Sequence, residues 1–376
     1  MKKLLMAFVC LFALVALVAC NNTTENNNEN NNNNENNENA EATYTLGMGI
    51  VSEIGHDSQN ALNIQVDSTV AAVVLDKDGK IVECRIDALQ NNASVANGEL
   101  THNPLDSKYE RKENYGMALY GTSLVGNEKV LEWYKQAEAF EAFVKGMKVA
   151  EVEAIKTQQI NAGAHGIYTI ADEQELLDAG CTIQITSFVA AVVAACKDDQ
   201  TATFTTSKEF KLGVAVTGTL DKGQDHKNAT ETEAGQACLY SEYAATVVID
   251  GKIAATLNDA VQAQLAFNYA GGVAEAGLKN ETPKRVKKEN YGMALYGTSL
   301  VGNEKVLEWY KQSAAFSAYV TGKTATEVTN LKTQQINAGA HGVYTIADEE
   351  ALLSAGCTMS INTIILIVVR SMTNAR

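Results

Sequence analysis

Two short loops carry the side chains of this chain that are best suited to chemistry. The sequence Ala-Gly-Cys-Thr occurs at residues 179–182 and again at 355–358, so each loop places a thiol and a hydroxyl directly after a glycine. Glycine lets backbone N–H groups approach an anion closely, and a helix that begins just afterwards directs its positive end to the same place. The composition of each loop is therefore compatible with an anion beside its threonine hydroxyl. A cysteine hydrolase is not favoured, because neither copy shows a Cys/His/Asn arrangement tied to the thiol.

The loops belong to a long internal duplication. Residues 112–136 recur without a change at 288–312, and residues 156–166 recur at 332–342, both at an offset of 176 residues. The threonine loops keep the same offset. The chain is therefore predicted to contain two similar modules in tandem, so that a site in one module has a counterpart in the other.

Each module begins with a pattern typical of strands. Residues 68–86 contain two β-branched runs joined by an Asp-rich turn with glycine, which predicts a hairpin. Residues 244–253 are its counterpart, with a shorter turn that keeps Asp-Gly. We expect a small antiparallel sheet at the start of each module.

A helix is predicted within and just after the identical segment. Trp133, Ala137, Phe140 and Val144 form one apolar stripe, and Gly146 is well placed to end the helix in the left-handed conformation. The two tryptophans of the chain lie on this stripe in the two copies, which favours a place in the core over a place in a cofactor wall. The second copy has the equivalent stripe and stop, with these residues: Trp309, Ser313, Phe316, Val320 and Gly322.

Further helices are predicted around the threonine loop. Residues 324–327 have the form of a capping box. Thr169 or Thr345 is expected to cap a short acidic helix that ends at the loop glycine. Apolar stretches follow the loop at residues 183–196 and 359–369. The second stretch is compatible with a buried strand on propensity alone, but the shared loop favours a helix in both. An α+β fold results for each module.

The N-terminus indicates export and a lipid anchor. Two lysines precede an apolar stretch at residues 4–18 that is too short for a comfortable membrane span, and Leu-Val-Ala-Cys at 17–20 resembles a bacterial lipobox. Residues 1–19 are therefore expected to be a signal peptide, with cleavage before a lipidated Cys20. Residues 20–42 comprise this cysteine and an Asn/Glu-rich tether, which lacks the apolar side chains needed to offset the entropy of ordering.

Composition limits the classes of partner and cofactor. The formal net charge is −15, which makes nucleic acid a poor candidate partner, because phosphate contacts need clustered Lys and Arg. The seven cysteines do not indicate a disulfide framework, since Cys10 leaves with the signal peptide, Cys20 is acylated, and only Cys181 and Cys357 correspond between the copies. No Cys/His spacing indicates a metal site.

Several motifs in order along the chain resemble the FMN-binding domain family: the Asp-Gly hairpin turn, Tyr-Gly-Met, Glu-Trp, and Ala-Gly-Cys-Thr ahead of a closing helix. That family includes flavin-carrying subunits of ion-pumping membrane oxidoreductases and surface lipoproteins of flavin-based extracellular electron transfer. The resemblance covers nearly all of residues 43–376 and implies two FMN-binding-like domains, module one at residues 43–200 and module two at residues 201–376. In the family a flavin transferase joins the phosphate of FMN to a threonine hydroxyl, and the matching positions are Thr182 and Thr358.

The resemblance also implies which other residues would contact FMN. The isoalloxazine ring needs an apolar, partly aromatic wall, for which tyrosine and methionine side chains of the identical segment are available. The loop candidates are Gly180, Cys181, Gly356 and Cys357. The wall candidates are Tyr115, Met117, Tyr120, Tyr291, Met293 and Tyr296.

The function implied by the resemblance is that of an electron carrier, not of an enzyme. Two covalent FMN groups would take electrons from a membrane donor such as a quinol and pass them to extracellular acceptors such as ferric iron or free flavins. The lipid on Cys20 would hold the carrier at the cell surface. The alternative is a non-redox surface lipoprotein in which the duplicated module serves binding or adhesion and the loops are only turns.

Overall fold

The two copies contain the same kinds of element in nearly the same order. The computed structural model describes residues 41–55, 62–120, 130–161, 166–223, 226–296, 306–337 and 342–376. Its strands are β1 (Ala42–Ile54), β2 (Asn63–Leu75), β3 (Ile81–Ala96), β4 (Glu99–Asn103), β5 (Thr157–Asn161), β6 (Ile167–Ala171), β7 (Ala202–Thr206), β8 (Lys211–Asp221), β9 (Gly235–Ile249), β10 (Lys252–Phe267), β11 (Thr333–Asn337) and β12 (Val343–Ala347). The predicted signal peptide, the predicted lipidation site at Cys20 and the predicted tether up to residue 40 lie outside the described residues.

Helices separate the strand-rich parts of each copy. They are α1 (Lys108–Arg111), α2 (Met117–Tyr120), α3 (Trp133–Val144), α4 (Val149–Glu153), α5 (Gln174–Asp178), α6 (Thr186–Cys196), α7 (Lys284–Lys287), α8 (Met293–Tyr296), α9 (Trp309–Val320), α10 (Ala325–Thr329), α11 (Glu350–Ser354) and α12 (Asn362–Thr373). With the antiparallel sheets, they make the protein α+β, as the sequence predicted.

Two antiparallel sheets carry the fold. One has five strands in the order β4-β3-β2-β1-β7, and the other has three in the order β10-β9-β8. Strand β7 follows the domain boundary expected at residue 200, yet it pairs with β1 of the first sheet. Two small hairpins, β5–β6 and β11–β12, complete the described strands.

The two sheets pack face to face. One apolar cluster contains side chains from strands of both sheets, and the hydroxyl of Tyr243 donates to Oγ of Ser68 across this interface at 2.9 Å. Helices α3 and α6 cover the other face of the first sheet, and α9 and α12 cover the other face of the second. Residues 39–376 therefore form one compact unit with the layers helix, sheet, sheet, helix.

Each module brings one long helix against a strand at a glycine. A Cβ atom at Gly47 of β1 would overlap the carbonyl oxygen of Ala195 in α6, and one at Gly213 of β8 would overlap that of Ser371 in α12. These glycines are therefore counterparts, which aligns β1 with β8 and sets the correspondence between the sheets.

Several local predictions are confirmed. The hairpin predicted at residues 68–86 is formed by β2 and β3, and both stretches after the threonine loops are helical. The glycine stops have positive φ, +83° at Gly146 and +84° at Gly322. In α10 the side chains of Thr324 and Glu327 form the predicted capping box.

The predicted cap of the acidic helix is wrong. Thr169 and Thr345 lie within β6 and β12, where they pair with Gln159 and Gln335. The helices α5 and α11 begin later, after glutamate N-caps. The β-branched and aromatic residues around each threonine favour a strand, and the repeated Thr-Gln-Gln-Ile-Asn run supplies its partner.

Candidate functional site

The threonine loop begins as the cap of a short helix. Gly180 follows α5 with φ of +90°, and its N–H donates to the carbonyl oxygen of Leu177 at 2.9 Å. The next N–H, of Cys181, donates to the carbonyl oxygen of Leu176 at 3.1 Å. This is the pattern of a helix that ends at a left-handed glycine. Gly356 repeats it with φ of +89°.

These hydrogen bonds correct the expected phosphate cradle. The N–H groups of Gly180 and Cys181 are engaged with α5, and the N–H of Thr182 donates to Oε1 of Gln136 at 2.9 Å. The following helix begins only at Thr186. In this conformation the first N–H groups of the loop are therefore not free for an anion.

One glutamine holds the threonine of module one. Thr182 is only 3% exposed, and its Oγ1 lies 3.4 Å from Oε1 of Gln136. The Nε2 of Gln136 donates to the carbonyl oxygen of Leu131 at 2.7 Å and to Sδ of Met117 at 3.2 Å. Because these two acceptors orient the amide, its oxygen faces the threonine.

Module two repeats this arrangement. The N–H of Thr358 lies 2.8 Å from Oε1 of Gln312, and its Oγ1 lies 3.5 Å from the same atom. The Nε2 of Gln312 donates to Leu307 at 2.7 Å and to Sδ of Met293 at 3.1 Å. The structure thus brings each predicted threonine and methionine together through a glutamine that the sequence reasoning missed.

A leucine side chain covers the loop glycine. A Cβ at Gly180 would overlap Cδ1 of Leu131 and lie 3.1 Å from its Cγ, and a Cβ at Gly356 would meet Leu307 in the same way. Leu131 therefore contacts the loop glycine with its side chain and holds Gln136 with its carbonyl oxygen.

A buried glutamate positions the methionine. The carboxylate of Glu132 accepts hydrogen bonds from the N–H groups of Met117 at 2.9 Å and Ala118 at 3.1 Å. Glu308 makes the same pair of contacts in module two, and both glutamates are buried. A carboxylate that accepts the first N–H groups of a helix satisfies donors that otherwise lack partners, so Glu132 and Glu308 set where α2 and α8 begin.

The loop cysteines are buried thiols with raised pKa values. Cys181 and Cys357 are fully buried, and burial raises the pKa of each thiol to about 12. The thiolate is the reactive form of cysteine. A thiol with this pKa is protonated at neutral pH.

Cations lie over the predicted tyrosine wall. Nζ of Lys108 is 5.1 Å from the ring centroid of Tyr115, and Cζ of Arg111 is 4.9 Å from it. In module two, Nζ of Lys284 is 4.7 Å from the centroid of Tyr291. The remaining wall candidates, Tyr120 and Tyr296, end α2 and α8, and the structure describes their backbone but not their side chains.

Trp133 and Trp309 are core residues, as predicted. Both are buried, and Trp133 packs edge-on against Phe188 of α6 at 5.6 Å between ring centroids. Each tryptophan begins the helix that carries the glutamine of the site.

A hairpin stands next to each threonine loop. The N–H of Ile185, three residues after Thr182, donates to the carbonyl oxygen of Thr169 in β6 at 3.1 Å, and Ile361 makes the same bond to Thr345 at 2.9 Å. The hairpins expose large apolar side chains, with Ile167 65% exposed. Sequence reasoning recognised the repeated run at residues 156–166 without assigning it to the site.

The missed glutamine and glutamate carried a signal in the sequence. Both lie in the identical segment. The glutamate is the N-cap residue just before α3 or α9, and the glutamine lies three residues after the tryptophan, in the first turn of that helix. Identity between the copies at buried polar positions indicates a shared hydrogen-bonding task, because a buried polar group needs a partner.

No known protein provides a comparison for this site. Searches against protein-family models, curated proteins and solved structures found no match. Within the described part of the chain, no helix has the length and apolar character needed to cross a membrane.

Proposed function

We propose that this protein is a surface-anchored lipoprotein with two FMN-binding-like modules, which carry covalent FMN on Thr182 and Thr358. It takes electrons from a membrane donor such as a quinol and passes them to extracellular acceptors such as ferric iron or free flavins. A partner flavin transferase attaches the FMN, and the lipid on Cys20 anchors the protein. FMN supplies the redox chemistry when bound, while the protein supplies position and electrostatics.

The proposal depends above all on one observation: the same threonine is held in the same way in both modules. The corresponding distances from threonine to glutamine, and from glutamine to leucine and methionine, differ by no more than 0.1 Å between the copies. A methionine sulfur lies in each cluster, and a tyrosine precedes it by two residues. Such side chains suit the edge and face of a flat aromatic ring.

Attachment of FMN requires a change at the glutamine. An ester oxygen has no proton to donate, so a modified Oγ1 no longer bonds to Oε1 of Gln136. Rotation about the Cα–Cβ bond of Thr182 moves Oγ1 away while the backbone bond to Gln136 is kept. The side chain of Thr182 is also buried, so we expect modification from a conformation in which this hydroxyl is exposed.

The same contacts support one alternative. Because the N–H groups and the hydroxyl of the loop are satisfied within the protein, the loop also suits a purely structural turn. The protein would then be a non-redox surface lipoprotein, and its duplicated module would serve binding or adhesion.

Covalent flavin can be measured directly. The mature chain is expressed with a flavin transferase, denatured, and assayed for flavin fluorescence in a gel, as wild type, Thr182→Ala, Thr358→Ala and the double variant. Thr186→Ala is the matched control, because this threonine is exposed at the start of α6.

We expect each single variant to lose about half of the fluorescence, the double variant to lose all of it, and Thr186→Ala to keep it. A folded wild type without fluorescence would favour the binding lipoprotein. Fluorescence that persists in the double variant would place the flavin elsewhere.

A further inference from the structure

The first half of β3 has a free edge whose N–H groups are capped by carboxylates. Strand β4 pairs only with residues 92–96 of β3, which leaves the preceding residues open on that side. The N–H of Cys84 donates to Oε1 of Glu83 at 3.2 Å, and that of Ile86 donates to Oε1 of Glu141 at 2.7 Å. Module one therefore contains the acceptors for this edge within its own side chains.

Two buried aspartates align β3 with β10, the edge strand of the second sheet. Asp87 accepts hydrogen bonds from the N–H of the next residue and from that of Tyr109. Asp259 accepts them from the N–H of the next residue and from that of Arg285, the counterpart of Tyr109 in the duplication. The two aspartates therefore occupy corresponding positions, and the residues before them can be compared one by one.

Small side chains replace both capping glutamates in module two. Glu83 and Ala255 each lie four residues before the aspartate of their strand. Glu141 of α3 corresponds to Ser317 of α9 in the duplication. Oγ of Ser317 accepts from Nδ2 of Asn258 at 3.0 Å, so this hydroxyl bonds to a side chain and not to an N–H of the edge.

The N–H groups of Thr256 and Asn258 point to the free edge of β10. Backbone groups of alternate residues on a strand face the same side. The N–H of Gln264 donates to Lys279, away from β9, and the carbonyl oxygen of Asn258 accepts from Oγ of Ser313 at 2.9 Å. Both residues are buried, yet among the described residues neither N–H has an acceptor on this side. A buried N–H without a partner is costly, which favours an acceptor from outside the chain.

A cavity of about 220 Å³ opens at this edge, between β10, α9 and β7. Its walls include residues 254–257 of β10, Ser317 of α9 and the side chain of Arg285, which is only 5% exposed. Nη2 of Arg285 donates to Asp198 at 2.9 Å and to the carbonyl oxygen of Gln200. Its Nε and Nη1 donate to no acceptor in the part of the chain that the structure describes. The cavity is therefore lined by unused donors of two kinds, backbone N–H and guanidinium.

The charged side chains around Arg285 have neighbours of opposite sign. These neighbours are Asp198 for Arg285, Asp199 for Lys288, Glu281 for Lys287, and Asp259 with Glu242 for Lys284. Burial raises the pKa of the Asp259 carboxyl to about 6 and that of the Glu242 carboxyl to about 7. The surroundings are thus close to neutral, so specific hydrogen-bond donors, and not a net positive charge, would hold a ligand here.

We propose that this cavity binds a small monocarboxylic acid, whose carboxylate takes the place that Glu141 has in module one. There the carboxylate accepts the edge N–H and pairs with Arg376 at 2.8 Å. In module two the donors for it are the N–H groups of Thr256 and Asn258, with Nε and Nη1 of Arg285. Hydrogen bonds to a charged acceptor are stronger than those to a neutral one. This inference does not depend on the flavin proposal.

The hydrocarbon part of the acid is limited by the walls of the cavity. Besides the donors, the walls carry short apolar side chains, which are Ala202, Ala254, Ala255, Ala314 and Ala318. A volume of this size accommodates a molecule of a few carbon atoms, since an apolar cavity of ~150 Å³ holds a benzene ring. We therefore expect a short aliphatic chain on the carboxylate.

The test uses butyrate as the probe and butyramide, which has nearly the same shape without the charge, as the control ligand. Dissociation constants for the mature chain are measured by saturation-transfer NMR. Ser317→Glu places the carboxylate of module one in the cavity, and Thr326→Glu adds the same charge at an exposed position of α10. Arg285→Lys keeps a cation beside Asp198 and removes the unused guanidinium donors. Circular dichroism shows whether each variant is folded.

We expect butyrate to bind the wild type and Thr326→Glu with the same affinity. Ser317→Glu and Arg285→Lys should each weaken this binding about tenfold or more, and butyramide should bind the wild type about tenfold more weakly than butyrate. A folded wild type that does not bind butyrate would overturn the inference, as would equal affinity for butyramide. Undiminished binding to folded Ser317→Glu would also overturn it, because the probe would then bind elsewhere.

Discussion

Replacing Gly180 with alanine tests the geometry of the threonine loop. Two features of the structure oppose a side chain there: φ is +90°, and the new Cβ would overlap Leu131. Gly146 is the matched control, because it also ends a helix with φ of +83° but has no neighbouring atom within 4 Å of the place where a Cβ would lie. The pair separates backbone strain from crowding.

The expected costs follow from these two features. A left-handed backbone costs an alanine about 1–2 kcal/mol, and this applies to both positions. Crowding in a packed site costs a further ~1–3 kcal/mol, and this applies only to Gly180. We therefore expect unfolding free energies to fall by about 1–2 kcal/mol for Gly146→Ala and ~2–5 kcal/mol for Gly180→Ala.

The assay is urea unfolding of the mature chain, monitored by tryptophan fluorescence. Unfolding free energies are compared between variants that share the same dependence of this free energy on urea concentration. Gly356→Ala and Gly322→Ala repeat the pair in module two, where the surroundings of the two glycines are the same. Equal losses of unfolding free energy for the two variants of a pair would refute the contact between the loop glycine and the side chain of Leu131 or Leu307. Gly180→Ala should also reduce flavin attachment at Thr182 more than at Thr358, because a displaced Leu131 no longer orients Gln136.

Three further outcomes are expected. Gln136→Met leaves the buried N–H of Thr182 without its acceptor and should cost about 1–3 kcal/mol in urea unfolding; an unchanged midpoint would contradict the bond at 2.9 Å. Asp198 forms a buried ion pair with Arg285 at 2.9 Å, so Asp198→Asn should lower the unfolding free energy by ~3–5 kcal/mol. Asp199 forms an exposed pair with Lys288, so Asp199→Asn should lower it by no more than ~1 kcal/mol. Similar losses of unfolding free energy in the two variants would argue against the buried pair. Burial raises the pKa values of the carboxyls of Asp87, Glu141, Glu242 and Asp259 to about 7, 7, 7 and 6. Each of these carboxyls binds its proton in the folded state while the unfolded chain has lost it, so its contribution to stability is lost as pH rises from about 4 to about 7. The melting temperature of the wild type relative to that of Asp87→Asn should therefore fall over this range, and a constant difference would contradict the burial of the Asp87 carboxyl.

Sequence reasoning recovered the elements that depend on local patterns. The stripe from Trp133 to Val144 and the stop at Gly146 are read from neighbouring residues, since side-chain spacing and a left-handed glycine are properties of a single helix. The cap at Thr169 failed for the opposite reason. Thr169 lies in β6, which forms because β5, about ten residues earlier, pairs with it. The propensities of residues 167–171 alone do not reveal this pairing.

The candidate site was recovered in part. The duplication identified Thr182, Thr358 and the methionines as a recurring set. The structure places each threonine near the methionine of its own module, Thr182 with Met117 and Thr358 with Met293. It did not show that Gln136 joins them, because that contact closes across 46 residues of chain. Nor did it show that the N–H groups of Gly180 and Cys181 turn back onto α5 and are not free for a phosphate.

The sequence by itself determined that this protein is duplicated, that each copy mixes a sheet with helices, and which threonine recurs. Repetition and periodicity are written along the chain, so no contact between distant residues is needed to see them. Only the tertiary structure decided that the two sheets share one core, that β7 joins the sheet of the other module, and that Lys284 is buried while its counterpart Lys108 is partly exposed. Those outcomes depend on which faces and edges meet in space, and a residue's burial is set by its neighbours there and not by its neighbours in the chain.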